Sequence, residues 1–180
     1  MTKARKYEGA YAVCSATADA PRILFEACME WDRAMETLDN KVERYYERKF
    51  GMTPEEPFVP SPSVVGVEEY RGVASDKTLR LYHWSEEPAA EIDLARGVVE
   101  FWMPYEDERR TVAKILEGIG LECREAGGER VTCTGVTPEN VKKVARALAL
   151  IVTEIPSETL EEDFGGTENF IHLVREWLNL

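Results

Sequence analysis

The side chains best suited to acid–base chemistry are the chain's two histidines, His83 and His172. An imidazole changes its charge near neutral pH, and one with a carboxylate in reach is a common pair for general acid–base catalysis. His83 precedes a segment that contains Asp93 and Glu100, so these three residues are the candidate catalytic residues. His172 falls on the polar side of a predicted helix and is expected to be solvated.

The alternation of LRLYHW, residues 79–84, favours a structural role for His83. In a strand, Leu79, Leu81 and His83 would share one face, because successive side chains point to opposite sides. We expect that face to be buried, with Ser85 paired to Ala90 across the next turn. His83 is then a histidine at the core edge, hydrogen-bonded to a neighbour, and the catalytic or metal-binding role is the less favoured alternative.

The opposite face of this strand is predicted to carry the binding residues. Its aromatic rings would each expose roughly 100–150 Å², which together approaches the largest apolar patch that a monomer usually shows. Three explanations remain open: the C-terminal helices cover the face, a second copy or another protein does, or a ligand binds there with Glu91, Asp93 and Glu100 as polar groups. The predicted binding residues are Tyr70, Arg80, Tyr82, Trp84, Glu91 and Trp102.

Motifs for other chemistry are absent from the sequence. There is no phosphate-binding glycine loop and no G-x-S-x-G nucleophile elbow. The four cysteines, at positions 14, 28, 123 and 133, have no C-x-x-C spacing. Buried free thiols are the favoured interpretation, although Cys123 and Cys133 lie on predicted neighbouring strands and can approach each other. We therefore expect no metal and no cofactor.

The charge and composition of the chain disfavour some classes of binding partner. The net charge of −12 disfavours nucleic acid and anionic membranes, because both would repel the chain. A basic cluster at Lys41–Lys49 suits the end of a helix dipole better than a nucleic-acid site. The chain has no Gln and many charges, which favours a heat-adapted source. With no long apolar run and no signal-peptide core at the start, a cytoplasmic location is expected.

The first half of the chain predicts one strand, a long helix and a meander. A strand over residues 7–16 precedes a helix that ends at Gly51. The helix stripe fits either a coiled coil or, as we favour, a helix lying across a sheet. The proline-rich segment 53–63 is a connector, and 64–73, 78–85 and 90–103 are antiparallel strands. The stripe comprises Leu24, Cys28, Trp31, Met35, Leu38, Val42 and Tyr45.

The second half repeats this order in outline. A helix ending at Gly120 precedes a hairpin that turns at Gly127–Gly128, and two or three helices follow. The fold class is therefore α+β, an antiparallel sheet with helices mainly on one face. We expect a single compact domain, 1–180, with possible βαββ halves of ferredoxin-like character at 1–88 and 89–180.

No residue pattern defines a reaction. The sequence favours a non-catalytic binding or assembly protein that acts as a homo-oligomer through the aromatic and acidic sheet face. The alternative is a small enzyme or ligand-binding protein with a cleft near His83 and nearby carboxylates. The expected partner is thus a second copy or another protein, with a small molecule as the alternative.

Overall fold

A computed structural model describes residues 4–83 and 85–180, which form a mixed α+β structure around one eight-stranded sheet. The spatial order is β1-β2-β3-β4-β5-β6-β8-β7, and all neighbours are antiparallel except β2 and β3. The strands are β1 Arg5–Glu8, β2 Ala12–Ala16, β3 Tyr70–Ala74, β4 Thr78–Tyr82, β5 Ala90–Asp93, β6 Val98–Trp102, β7 Glu122–Gly127 and β8 Arg130–Thr134.

Five helices complete the described fold. The longest, α1, connects the parallel strands β2 and β3, which need a crossover because no tight turn can join them. Gly51 ends it in the left-handed conformation, as predicted. The helices are α1 Arg22–Phe50, α2 Glu106–Ile119, α3 Val141–Ala147, α4 Ser157–Glu162 and α5 Thr167–Trp177, with a 3₁₀ turn over Leu148–Val152.

The helix α1 lies across the sheet and buries the predicted stripe. Leu24, Trp31 and Leu38 are fully buried, and α1 packs on β2, β3, β4 and α3. The strands beneath it carry small side chains, such as Ala12 and Ala74, which let the helix approach closely. The coiled-coil alternative is therefore wrong for this helix within the described chain.

The cysteine prediction is also wrong. Cys14 on β2 forms a disulfide with Cys28 on α1, and Cys123 on β7 forms one with Cys133 on β8. No described cysteine is free. The first bond joins the sheet to the helix layer, and the second crosses the hairpin that the sequence predicted at Gly127–Gly128.

The predicted strands differ from the structure in their bounds and in one pairing; the strands predicted at 64–73 and 78–85 are shorter, Tyr70–Ala74 and Thr78–Tyr82. Residues 5–16 form two strands with a turn at Gly9, and residues 90–103 form two strands, because Gly97 has a positive φ of 68° that turns the chain. Leu81 pairs with Ala90, so the predicted pairing of Ser85 with Ala90 is wrong. The shift keeps each side chain on its predicted face because the change in register is even. The ferredoxin-like character of the halves is not confirmed by this order.

The helical layer lies on one side of the sheet. The helix α2 packs on β7 and β8, and α5 packs on α1 and α2. The sheet continues across the predicted boundary at 88/89, because β4 pairs with β5. None of the described helices is long and apolar enough to cross a membrane.

Candidate functional site

The sheet face opposite the helices is the largest candidate site, and we call it the open face. It consists of the outward strand positions, which alternate with buried ones; on β4, Leu79 and Leu81 are buried while Arg80 is exposed. The same alternation on β6 turns Glu100 and Trp102 outward, as predicted. The C-terminal helices α4 and α5 pack within the helix layer, so the described structure argues against the explanation that they cover the open face.

Charged side chains cross the open face in the order basic, acidic, acidic, basic, one on each of four neighbouring strands. Arg80 on β4 donates to Glu91 on β5, with 2.9 Å between Nε and Oε2. Glu91 is the direct cross-strand neighbour of Glu100 on β6, whose carboxylate pairs with Arg130 at 3.4 Å. The two acidic side chains thus lie side by side, and each forms an ion pair with a basic side chain on the next strand outward, Glu91 with Arg80 and Glu100 with Arg130.

The open face carries no net charge, although the chain carries −12. The strand register places five basic and five acidic side chains on this side of the sheet. The excess of acidic residues therefore lies elsewhere on the protein, so like-charge repulsion between two copies is weak at the open face. The basic residues are Lys6, Arg71, Arg80, Arg124 and Arg130, and the acidic ones are Glu8, Glu91, Asp93, Glu100 and Glu122.

Two aromatic side chains border the charged row. Tyr82 lies beneath the guanidinium of Arg71, whose Cζ is 4.5 Å from the ring centroid, a distance typical of a cation–π contact. Trp102 is the cross-strand neighbour of Arg130. Both rings are half-buried, so the face is amphipathic and less apolar than the sequence predicted. Trp84, also predicted here, lies outside the described residues.

The prediction that Tyr70 belongs to this face is wrong. Tyr70 is fully buried on the helix side, and its ring meets that of Trp31 edge to face at a centroid distance of 6.5 Å. Its hydroxyl donates to the carbonyl of Pro60. Burial, with a further contribution from Asp39, raises the pKa of Tyr70 to about 12. The predicted strand 64–73 begins in the structure only at Tyr70. Residues 64–69 lie outside the strand, so their alternation does not indicate which way Tyr70 faces.

A cleft of about 370 Å³ opens at the end of the open face beside His83, and we call it the His83 cleft. Arg71 and Tyr82 form part of its wall. His83 is half-buried, and burial lowers its pKa to about 4. The imidazole is therefore neutral at pH 7. The acidic side chains of the cleft are Glu68, Glu69 and Glu86.

The structure does not bring the predicted acid–base partners to His83. Asp93 pairs with Thr78, at the far end of β4, and its carboxylate accepts a hydrogen bond from the backbone of Arg96 at 3.0 Å. The five positions from Thr78 to His83 span roughly 16 Å in a strand. Glu100 is paired with Arg130 and does not line the cleft. Within the described chain, no cluster of three or more His, Cys, Asp or Glu residues suits a metal ion.

Sequence reasoning missed Arg71, Arg124 and Arg130, which make the open face neutral. In the strand RVTCT, the apolar Val131 and Cys133 alternate with polar residues, which indicates that Arg130 faces outward. The sequence did not indicate which strand lies beside it. Only the pairing of β6 with β8 brings Arg130 next to Glu100. Comparison with known proteins adds nothing: no family model, curated protein or solved structure matches this chain.

Proposed function

We propose that this protein is a binding protein that assembles with a second copy of itself through the open face. The observation that carries the proposal is the charge distribution: a face without net charge on a chain of net charge −12. Two acidic copies repel each other in most orientations. Contact through the open face brings together two surfaces without net charge, and it can place Arg80 of each copy opposite Glu91 of the other.

The cross-strand pair of Arg80 and Glu91 is self-complementary under two-fold symmetry. Consider an axis parallel to the strands that passes between β4 and β5. It places Arg80 over the second copy's Glu91, since these residues pair across that boundary. The same axis exchanges β3 with β6. Arg71 on β3 and Trp102 on β6 are both level with Tyr82 along the strands, so Arg71 lies over the second copy's Trp102. Such an interface is isologous, the commonest arrangement among homo-oligomers.

The energetics favour a moderate affinity. The charges at the centre already form pairs in one copy, so association adds neighbours to paired groups and leaves no isolated buried ion. The rings of Tyr82 and Trp102 supply the apolar contact area at the edge of the row. Since part of the attraction is between exposed charges, salt should weaken the dimer.

The test is solution mass by light scattering over a concentration series, with a charge swap between Arg80 and Glu91. We expect Arg80→Glu and Glu91→Arg each to shift the dimer toward monomer, because each places like charges opposite each other across the axis. The double variant restores both the internal and the intermolecular pair, so it should regain the dimer. Lys143→Glu is the control: it makes the same change in net charge as Arg80→Glu at an exposed position of the helix α3.

A wild type that stays monomeric at all concentrations would contradict the proposal. It would favour the second candidate, a ligand in the His83 cleft, which rests on the coincidence of a sizeable cleft with a half-buried neutral imidazole. We also propose a cytoplasmic location. Disulfides are typical of oxidising compartments, but intracellular ones are common in hyperthermophiles, so the two bonds are compatible with this location if the source is heat-adapted, as the composition favours.

A further inference from the structure

We propose that a second cleft, on the helix side of the sheet, binds a small phosphate-bearing ligand. This cleft, which we call the cationic cleft, lies between β1, the first turns of α1 and the start of α3, and has a volume of about 520 Å³. That size is within the usual range of small-molecule sites. It lies on the opposite side of the sheet from the open face, so this inference is independent of the proposed assembly.

Four basic side chains from three elements meet at the cationic cleft. Arg5 comes from β1, Arg22 and Arg33 come from α1, and Lys142 comes from α3. A chain with an excess of acidic residues has here a local excess of basic ones. The convergence of separate elements on one cleft is unlike the basic last turn of α1, where sequence neighbours on one helix face solvent.

The two carboxylates of the cleft cancel only part of this charge, since four basic side chains face two acidic ones. Glu26 is shared between Lys142, at 3.0 Å, and Arg22, at 3.2 Å. These partners, Lys142 first, lower the pKa of Glu26. Glu30, the other carboxylate, pairs with Arg146 at 3.7 Å. Both acidic groups are thus occupied by cations.

Arg5 supplies a guanidinium without a carboxylate partner. Its Nη2 donates to the carbonyl oxygen of Ala20 at 3.0 Å, and its Cζ lies 5.2 Å from the centroid of the Phe25 ring. No carboxylate of the described chain lies within 4.0 Å of Arg5 or of the exposed Arg33. A half-buried cation whose hydrogen-bond partner is a neutral carbonyl is stabilised by a nearby anion.

Phosphate is the anion that fits this set. A guanidinium presents several donors in one plane and binds phosphoryl oxygens in a bidentate manner. Lys142 supplies a further donor as a point charge. Phe25 and Met29 add an apolar portion to the lining, which suits the carbon skeleton of an organic phosphate. The ligand is therefore a phosphate group with or without an attached organic part.

The test is isothermal titration calorimetry at low salt with two probes, pyrophosphate and adenosine monophosphate. We expect saturable binding of one molecule per chain. Arg33→Glu should weaken it on the order of tenfold, because an attractive charge near the phosphate becomes repulsive. The matched control is Arg44→Glu, which makes the same change in net charge on the same side of α1, three turns farther along and outside the cleft.

The outcomes separate specific binding from general attraction. Binding lost in Arg33→Glu and retained in Arg44→Glu supports the site. Tighter binding of adenosine monophosphate than of pyrophosphate would assign the apolar lining to an organic phosphate, and the reverse would assign the site to phosphate alone. No saturable heat with either probe, or equal weakening in both variants, would overturn the inference.

Discussion

Asp32 and Asp39 lie two turns apart on α1, and the same residue, Tyr11, binds to both. The backbone N–H of Tyr11 donates to Oδ1 of Asp32 at 2.8 Å, and its hydroxyl donates to Oδ2 of Asp39 at 2.7 Å. Asp39 also accepts from the backbone N–H groups of Phe58 and Val59. Through these hydrogen bonds, the two carboxylates hold the β1–β2 turn and the proline-rich connector against α1.

Asp32 is the more buried of the two and gives the first prediction. It accepts from the N–H groups of Tyr11 and Ala12 and, at 3.4 Å, from the hydroxyl of Tyr7, so Asp32→Ala leaves these donors without their acceptor. We expect the free energy of unfolding to fall by about 3 kcal/mol, since hydrogen bonds to a charged group contribute roughly 1.5–3 kcal/mol each. Urea denaturation measures it. Asp32→Asn keeps an acceptor oxygen and should cost less; an equal loss in both variants would contradict this explanation.

The hydrogen bonds of Asp32 and Asp39 are an example of contacts that the sequence did not predict. The stripe on α1 and the hairpin at Gly127–Gly128 were predictable, because each depends on local periodicity or turn chemistry. The roles of Asp32 and Asp39 were not, because a carboxylate on a helix reads as a solvated side chain until the backbone that it binds is known. The same holds for the Cys14–Cys28 disulfide, whose partners lie on a strand and on a helix with no shared period.

For the candidate site, the sequence predicted which side chains face outward but not which strands lie side by side. Arg80, Tyr82 and Trp102 face outward as expected, since alternation survives an even shift in register. The joining of β6 to β8 is a long-range pairing that skips β7 in sequence order. No local pattern specifies such a pairing, so the contribution of Arg130 to the open face required the three-dimensional structure.

Gly72 on β3 gives the second prediction. A Cβ at this position would lie 2.2 Å from Sγ of Cys28, so Gly72→Ala forces the disulfide and the helix away from the sheet. We expect a loss of about 1–3 kcal/mol in unfolding free energy, as for other overpacked cores. The control is the same substitution in a chain with Cys14→Ala and Cys28→Ala, where Sγ is gone. If Gly72→Ala costs as much there, the contact with the disulfide is not the cause.

The two disulfides should differ in their reaction with a reductant. Cys14 and Cys28 are fully buried, whereas Cys123 is partly exposed. A thiolate must reach a sulfur atom to reduce the bond, so dithiothreitol should reduce Cys123–Cys133 at least about tenfold faster in the native protein. Alkylation followed by peptide mass spectrometry reports which cysteines have become thiols. In urea, where burial is lost, the two rates should converge; faster reduction of Cys14–Cys28 in the native state would contradict the prediction.

His83 predicts a pH-dependent stability. Its pKa is about 4 in the folded protein, below the value of about 6.5 that an unfolded histidine has. Between these values the unfolded chain binds a proton that the folded chain does not, so stability rises with pH and is lost as the pH falls from 6.5 toward 4. For this group alone, the free energy of unfolding should be about 2 kcal/mol lower at pH 5 than at pH 7.

The measurement is urea denaturation at pH 7 and pH 5 for the wild type, His83→Gln and His172→Gln. Acidic residues titrate in all three proteins, so only the differences between them report on the histidines. His172→Gln is the matched control, because it removes the other histidine, which is exposed on α5. His83→Gln should lose about 2 kcal/mol of the pH dependence of the wild type, because its neutral side chain binds no proton in either state. The same pH dependence in all three would show that His83 is solvated and that its cleft does not desolvate the ring.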